Sequence, residues 1–196
     1  MITILLLAAG SSTRMGRSKQ LLSVAEEPLL LTSARAALQS VANDVVVVLG
    51  ANEKQHRLLI EPLPLTIVHH TNWSLGMGSS LKAGLNYILK SEPLVQAVLV
   101  MVCDQPLISP GHLTAIIRHY QQNKDAIVAS TYAGMAGVPA LFDHSLFPLL
   151  LSLPDDQGAR KIIQQKEELV GTVDFTGGAI DLDTPEDFIR YTGREL

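Results

Sequence analysis

The sequence predicts an α/β fold of three layers, with helices on both faces of a mostly parallel central sheet. Three observations predict it. Short runs rich in leucine and β-branched residues alternate with longer stretches of helical period, most of the short runs are almost continuously apolar, and a loop of small residues follows the first run at once. A strand with one face in water alternates apolar and polar side chains, so an unbroken apolar run needs cover on both faces.

Taken in order, Ile2–Ala8 is the first strand. Its apolar character resembles the hydrophobic part of a leader peptide, but no basic residue precedes it and Gly10-Ser11-Ser12 follows directly. Leu31, Ala34, Leu38 and Val41 then recur at helical spacing, and Asp44–Leu49 and Leu65–His69 read as strands. Leu81, Leu85, Ile88 and Leu89 mark a second helix, Ala97–Cys103 a strand, and Leu113, Ile116, Ile117 and Tyr120 a third helix. Ala126–Thr131 and Val138–Phe142 are the last strand candidates. The first half is thus a run of βαβ units, whose right-handed crossovers put a ligand crevice outside the carboxyl ends of the strands.

Composition narrows the function. With 196 residues, 47% of them hydrophobic, residues 1–196 suffice for a substantial core and read as one domain. The net charge of -4 leaves no broad cationic field for a nucleic acid, and no apolar stretch approaches the roughly 18 residues of a membrane helix. A single cysteine, Cys103, sits in an apolar run and can form no internal disulfide, which fits a reducing, cytoplasmic setting.

Three motifs fall at the predicted crevice. The first is Leu7-Ala8-Ala9-Gly10-Ser11-Ser12-Thr13-Arg14-Met15-Gly16-Arg17-Ser18-Lys19. Small residues let backbone N–H groups approach a phosphate chain, and Arg14, Arg17 and Lys19 concentrate positive charge in an acidic protein. Gly10 and Gly16 are too far apart for a Walker A loop, and the G-x-G start of a dinucleotide fingerprint is missing. The second motif, Asp104-Gln105-Pro106, follows a buried strand, so Asp104 faces the crevice and suits Mg²⁺, which takes one or two carboxylates and fills its octahedron with phosphate and water oxygens. The third is Ile180-Asp181-Leu182-Asp183-Thr184-Pro185-Glu186-Asp187, in which Thr184 and Pro185 are the cap and first residue of a helix. The cap does not explain the two acids before it.

Together the first motif and its neighbours resemble the MobA-like NTP transferases, specifically the molybdenum cofactor cytidylyltransferase branch. The resemblance runs from Ile4 to Asp187 and implies a Rossmann-like nucleotidyltransferase fold, with a nucleotide-binding half at about 1–105 and an acceptor-binding half at about 106–196. It implies that Leu7, Ala8, Ala9 and Gly10 lie against the nucleotide, that Arg14 and Lys19 contact the triphosphate, and that Asp104 holds Mg²⁺. Asp183 is the second metal ligand it implies, with Asp181 in reserve. In Asn72-Trp73-Ser74-Leu75-Gly76-Met77-Gly78-Ser79-Ser80 it implies nucleoside contacts from Asn72, Gly78 and Ser79, although Ser79 or Ser80 would also serve as a plain helix cap. Asp155-Asp156-Gln157-Gly158-Ala159-Arg160 resembles the family's acceptor-side G-D-x-G-A-R, which carries over Asp156, Gly158 and Arg160. Asp155 stands where that pattern has glycine, and aspartate tolerates far less backbone freedom.

The guanylyltransferase branch reads L-A-G-G where this chain has Leu7-Ala8-Ala9-Gly10, so Ala9 points to CTP. The implied reaction moves CMP from CTP to the phosphate of molybdopterin, with a molybdenum hydroxylase as the eventual recipient. A phosphate monoester is anionic near neutral pH and attacks without a general base. Transfer to a sugar phosphate is the alternative within the enzyme class. A non-catalytic maturation factor is the alternative outside it, and the joint presence of Lys19, Asp104 and Asp183 argues against that. His56, His69, His70, His112, His119 and His144 show no metal-ligand spacing, and Trp73 reads as packing rather than as a stacking platform.

Overall fold

Residues 2–8 carry no polar side chain except Thr3, and they form β1 (Ile2–Ala8) with every residue buried. In the computed structural model, which describes residues 1–24 and 26–194, β1 is the third of seven strands in one sheet. A two-residue hairpin, β2 (Ser23–Val24) and β3 (Glu27–Pro28), precedes α1 (Leu29–Leu38). There follow β4 (Asp44–Leu49), α2 (Glu53–Ile60), β5 (Thr66–His69), α3 (Met77–Ser91) and β6 (Ala97–Val102). The remainder is α4 (Pro110–Asn123), β7 (Ile127–Tyr132), β8 (Met135–Asp143), α5 (Phe147–Leu151), α6 (Arg160–Gln165), β9 (Val170–Asp174) and α7 (Pro185–Thr192).

The sheet order is β5-β4-β1-β6-β8-β7-β9. Four pairings are parallel and two, β6 with β8 and β8 with β7, are antiparallel. The expected fold class therefore holds. The β-strand period of two turns Ile4, Leu6 and Ala8 to a core shared with α1 and α4, while Leu5, Leu7 and Ala9 face a second core under α3, α5 and α6. Each fully buried leucine or isoleucine contributes roughly 1.5–3 kcal/mol relative to exposure.

Three expectations need correction. α1 buries Leu30, Ala34 and Ala37 and packs Leu38 against the same core, while Leu31 is half-buried and Val41, beyond the helix end at Leu38, is 47% exposed. The strand expected at Val138–Phe142 is the nine-residue β8, and it runs antiparallel as the return arm of a hairpin from β7. Edge strand β9 escaped the sequence reading altogether: Val170-Gly171-Thr172-Val173-Asp174 is buried on neither face and has no apolar run.

From β1 the chain steps outward to β4 and β5, then returns to the other side of β1 at β6. The strand order reverses there, and the loops after β1 and β6 splay apart to leave a crevice. Among the described residues no helix is long and apolar enough to cross a membrane.

Candidate active site

The loop after β1 is ordered by buried polar side chains. Gln20, 1% exposed, donates through Nε2 to the carbonyls of Gly10 (2.8 Å) and Ala8 (3.3 Å). Its Oε1 accepts from the hydroxyls of Ser18 (2.8 Å) and Ser12 (3.1 Å), and Ser12 Oγ accepts from the Lys19 amide at 3.1 Å. These bonds hold Ser12 at φ 57°, a left-handed conformation that a non-glycine residue adopts only at some cost.

They also aim Lys19. Its ammonium donates to Asp104 Oδ2 at 2.8 Å and to Asp183 Oδ1 at 2.6 Å, and Arg14 pairs with Asp183 Oδ2 at 2.9 Å. Burial disfavours the Lys19 charge, but the two carboxylates outweigh it, Asp104 most, and raise its pKa well above the ordinary lysine value. The Asp183 carboxyl also loses hydration, and Lys19 and Arg14 overcome that to hold it below the usual range. Asp183 reaches the cluster because the Leu182 amide donates to the Asp104 carbonyl at 3.0 Å while the Leu182 side chain is fully buried. A capping box then turns the chain into α7: Thr184 Oγ1 accepts from the Asp187 amide, and Asp187 Oδ2 accepts from the Thr184 amide.

A cavity of about 330 Å³ opens beside this cluster. Leu7, Ala8, Ala9 and Gly10, together with Arg14, Lys19, Asp104 and Asp183, line it, so the structure brings these sequence candidates to one place. Asp181 lies outside the lining, exposed. Asp104 Oδ1 is buried without a hydrogen-bond partner among the described residues. An oxygen in that state fits a cation, and two carboxylates meeting at one lysine nitrogen are the number Mg²⁺ takes when phosphate completes its shell.

The segment before α3 behaves differently from its expected role. Asn72, Gly78 and Ser79 do not line the cavity; Trp73, Ser74, Gly76, Met77 and Ser80 do. Gly78 lies beneath the 154–157 loop, where a Cβ would stand 2.3 Å from the Pro154 carbonyl and 2.5 Å from that of Gln157. Gly76, at φ 126°, meets the Asp155 carbonyl in the same way. The Ser79 amide donates to the Asp155 carbonyl at 3.1 Å, and its hydroxyl donates to the Gly76 carbonyl at 2.7 Å and contacts His70 Nε2 at 3.0 Å. Ser79 is thus turned into the protein, but not as a cap: the N-cap of α3 is Gly76, without a side-chain capping bond, and Asn72 is exposed.

Asp155 needs no glycine. Its φ is negative, and its carboxylate pairs with Lys82 at 2.7 Å while Lys82 also donates to the Leu153 carbonyl at 2.7 Å. Of the acceptor-side candidates, Asp156 is exposed, Gly158 packs against Met77, and Arg160 lines a second cavity of about 430 Å³ with Met135, Thr131 and Thr172. The structure therefore does not gather Asp156, Gly158 and Arg160 around one point of the first cavity.

Sequence reasoning missed Gln20, His56 and the exposed side of Trp73. Trp73 is both packing and wall, since it abuts Gly50 at the end of β4 and lines the cavity. Proximity to Lys19 was a signal for Gln20; nothing in the sequence ties His56 to Ser18.

The profile of the MobA-like NTP transferase domain matches residues 4–169. The chain belongs to that family. Among curated members it is 31% identical over 202 residues to the nicotine blue oxidoreductase of Paenarthrobacter nicotinovorans, covering 96% of this chain and 95% of that protein. It is 24% identical over 197 residues to the molybdenum cofactor cytidylyltransferase of Escherichia coli, covering 97% of each. Among solved structures, Rv0371c of Mycobacterium tuberculosis superimposes with a TM-score of 0.85 at 26% identity over 98% of each chain, and that protein has also been solved in complex with manganese. This chain is accordingly a member of a nucleotidyltransferase family, and its MobA-like domain holds both the phosphate-type loop and Asp104.

Proposed function

We propose that the protein is a Mg²⁺-dependent cytidylyltransferase that transfers CMP from CTP to the phosphate of molybdopterin and releases pyrophosphate. The observation that carries this reading is the Lys19 ammonium held between Asp104 and Asp183 on the wall of a cavity bordered by the Gly10–Arg14 loop. Full-length relatives bear a cytidylyltransferase name and an oxidoreductase name, so likeness of fold alone does not choose between activities and the site must.

An acceptor phosphate oxygen forms a bond to the α-phosphorus as the bond from that phosphorus to the β-phosphate bridging oxygen breaks. Charge then accumulates on the α-phosphoryl oxygens and on the departing pyrophosphate. Lys19, Arg14 and the loop amides border the cavity in which that charge would develop, and stabilising such charge is the main source of rate in phosphoryl chemistry. Asp104 and Asp183 would hold the metal, and the manganese complex of Rv0371c supports use of a divalent ion. Bound there, the ion supplies charge neutralisation at the phosphates. In this reading residues of about 1–105 take the nucleotide and those of about 106–196 the acceptor. The buried Cys103, its thiol pushed up to about 12 chiefly by desolvation, stays protonated and inert, as suits a cytoplasmic enzyme.

Pyrophosphate release from each of the four NTPs, with molybdopterin and with a sugar phosphate, tests the reading. CTP with molybdopterin and Mg²⁺ is expected to give the highest kcat/KM, and Asp104→Asn to lose most of it while staying folded. Preference for GTP would overturn the cytidylyl assignment, release independent of Mg²⁺ would overturn the role of Asp104, and no release from any NTP would overturn the activity.

A further inference from the structure

His56, on α2, is fully buried and has no part in the chemistry above. Its Nε2 lies 2.7 Å from Ser18 Oγ. The Ser18 hydroxyl has one proton, and the 2.8 Å bond to Gln20 Oε1 uses it, because a carbonyl oxygen can only accept. Ser18 Oγ must therefore accept from His56, and His56 must carry its proton on Nε2. Its Nδ1 is then a bare acceptor, and that nitrogen is buried with no partner among the described residues.

Leaving a ring nitrogen unpaired costs free energy that a leucine of similar bulk would avoid. The cost falls on one end of a connected chain of bonds. From His56 Nε2–H the chain runs to Ser18, to Gln20, to Ser12, and from Ser12 Oγ back to the Lys19 amide, while Gln20 also ties down the Ala8 and Gly10 carbonyls. Ser18 and Lys19 are neighbours in sequence, so the histidine fixes the residue next to the lysine from beneath the loop. His56 comes from a helix more than thirty residues away, so it anchors the Ser18 end of the loop to α2, whereas Gln20 ties the loop to its own beginning at Ala8 and Gly10.

We propose that His56 is a positioning residue for the phosphate-binding loop, acting through a hydrogen bond donated by Nε2 to Ser18 and thereby fixing where Lys19 meets the triphosphate. This rests on the nucleotidyl-transfer reading, and the test separates the two. Misplacing a charge-stabilising group by about 1 Å costs up to roughly 100-fold in rate. His56→Leu removes both the donor and the unpaired nitrogen. It is expected to lower kcat/KM for the nucleotide by about 10- to 100-fold, within that range, with a Tm equal to or above that of wild type. His56→Gln carries an N–H donor near the position of Nε2 and should restore most of the activity, whereas His56→Asn, whose donor falls short of Ser18, should not. Trp73 is the only tryptophan and lines the cavity, so quenching of its fluorescence by CTP reports binding without turnover. Wild-type activity in His56→Leu, a loss that merely tracks a fall in Tm, or equal impairment in the Gln and Asn variants would each overturn the positioning role. Should His56→Leu not fold, the contrast between Gln and Asn decides alone. Absence of both quenching and turnover in wild type would count against nucleotidyl transfer itself.

Discussion

The loop after β1 and the first turn of α3 both line the cavity, yet the first is held in place by side chains and the second by their absence. Gln20, Ser12, Ser18 and the Nε2 of His56 bond to one another around the loop, and two carboxylates fix the lysine at its end. At α3, Gly76 and Gly78 let the 154–157 backbone come within contact of the helix, so that the Ser79 amide reaches the Asp155 carbonyl. A charged polar network commits particular atoms to chemistry. A glycine contact commits only shape, and it ties the 154–157 segment to the strand-to-helix turn beside the cavity.

The largest effect that separates the two regions is expected from Lys19→Ala. Losing one preorganised donor to developing charge should cost about 2–4 kcal/mol in kcat/KM, a loss that remains when any fall in Tm from leaving Asp104 and Asp183 without their shared ammonium is compensated by assaying below the transition. A variant whose activity survives while its Tm falls would make Lys19 a structural residue and erase the contrast. Gly78→Ala tests the other side, and the sign of its effect is the point. Alanine in a helix is normally better than glycine by about 1 kcal/mol. Here its Cβ would press on two carbonyl oxygens, so a net loss of about 1–3 kcal/mol in urea denaturation is expected. A more stable Gly78→Ala would show that the 154–157 loop does not rest on α3. The smallest effect is predicted for Asp155→Ala. Its ion pair with Lys82 is partly in solvent, so a loss of about 0.2–1 kcal/mol is expected, and a larger one would mean that the aspartate, not the glycines, holds the loop.

Sequence alone determined the buried parallel strands of the first half of the fold and the loop and carboxylate that line the cavity, but not α2 or the β2–β3 hairpin. β1, β4 and β6 are buried on both faces, and burial on both faces writes itself as an apolar run. Gly10 and Asp104 were legible because each follows such a strand within two residues, where a parallel sheet exposes its ligand crevice, and Arg14 and Lys19 because they belong to the loop that begins there. Thr184-Pro185 read correctly as a helix start because capping is a matter of residues three apart. Tertiary structure decided the rest. That β8 runs antiparallel depends on a hairpin partner, and edge strand β9, half in solvent, has no apolar signature to read. That Asp183 and not Asp181 lines the cavity goes with a bond from the Leu182 amide to Asp104, and the places of Gly78 and Ser79 are set by a loop more than seventy residues away. His56 meets Ser18 only because α2 packs under the loop after β1. Local periodicity and capping are recorded in neighbouring residues, whereas a hydrogen bond between distant segments is recorded nowhere until the chain has packed.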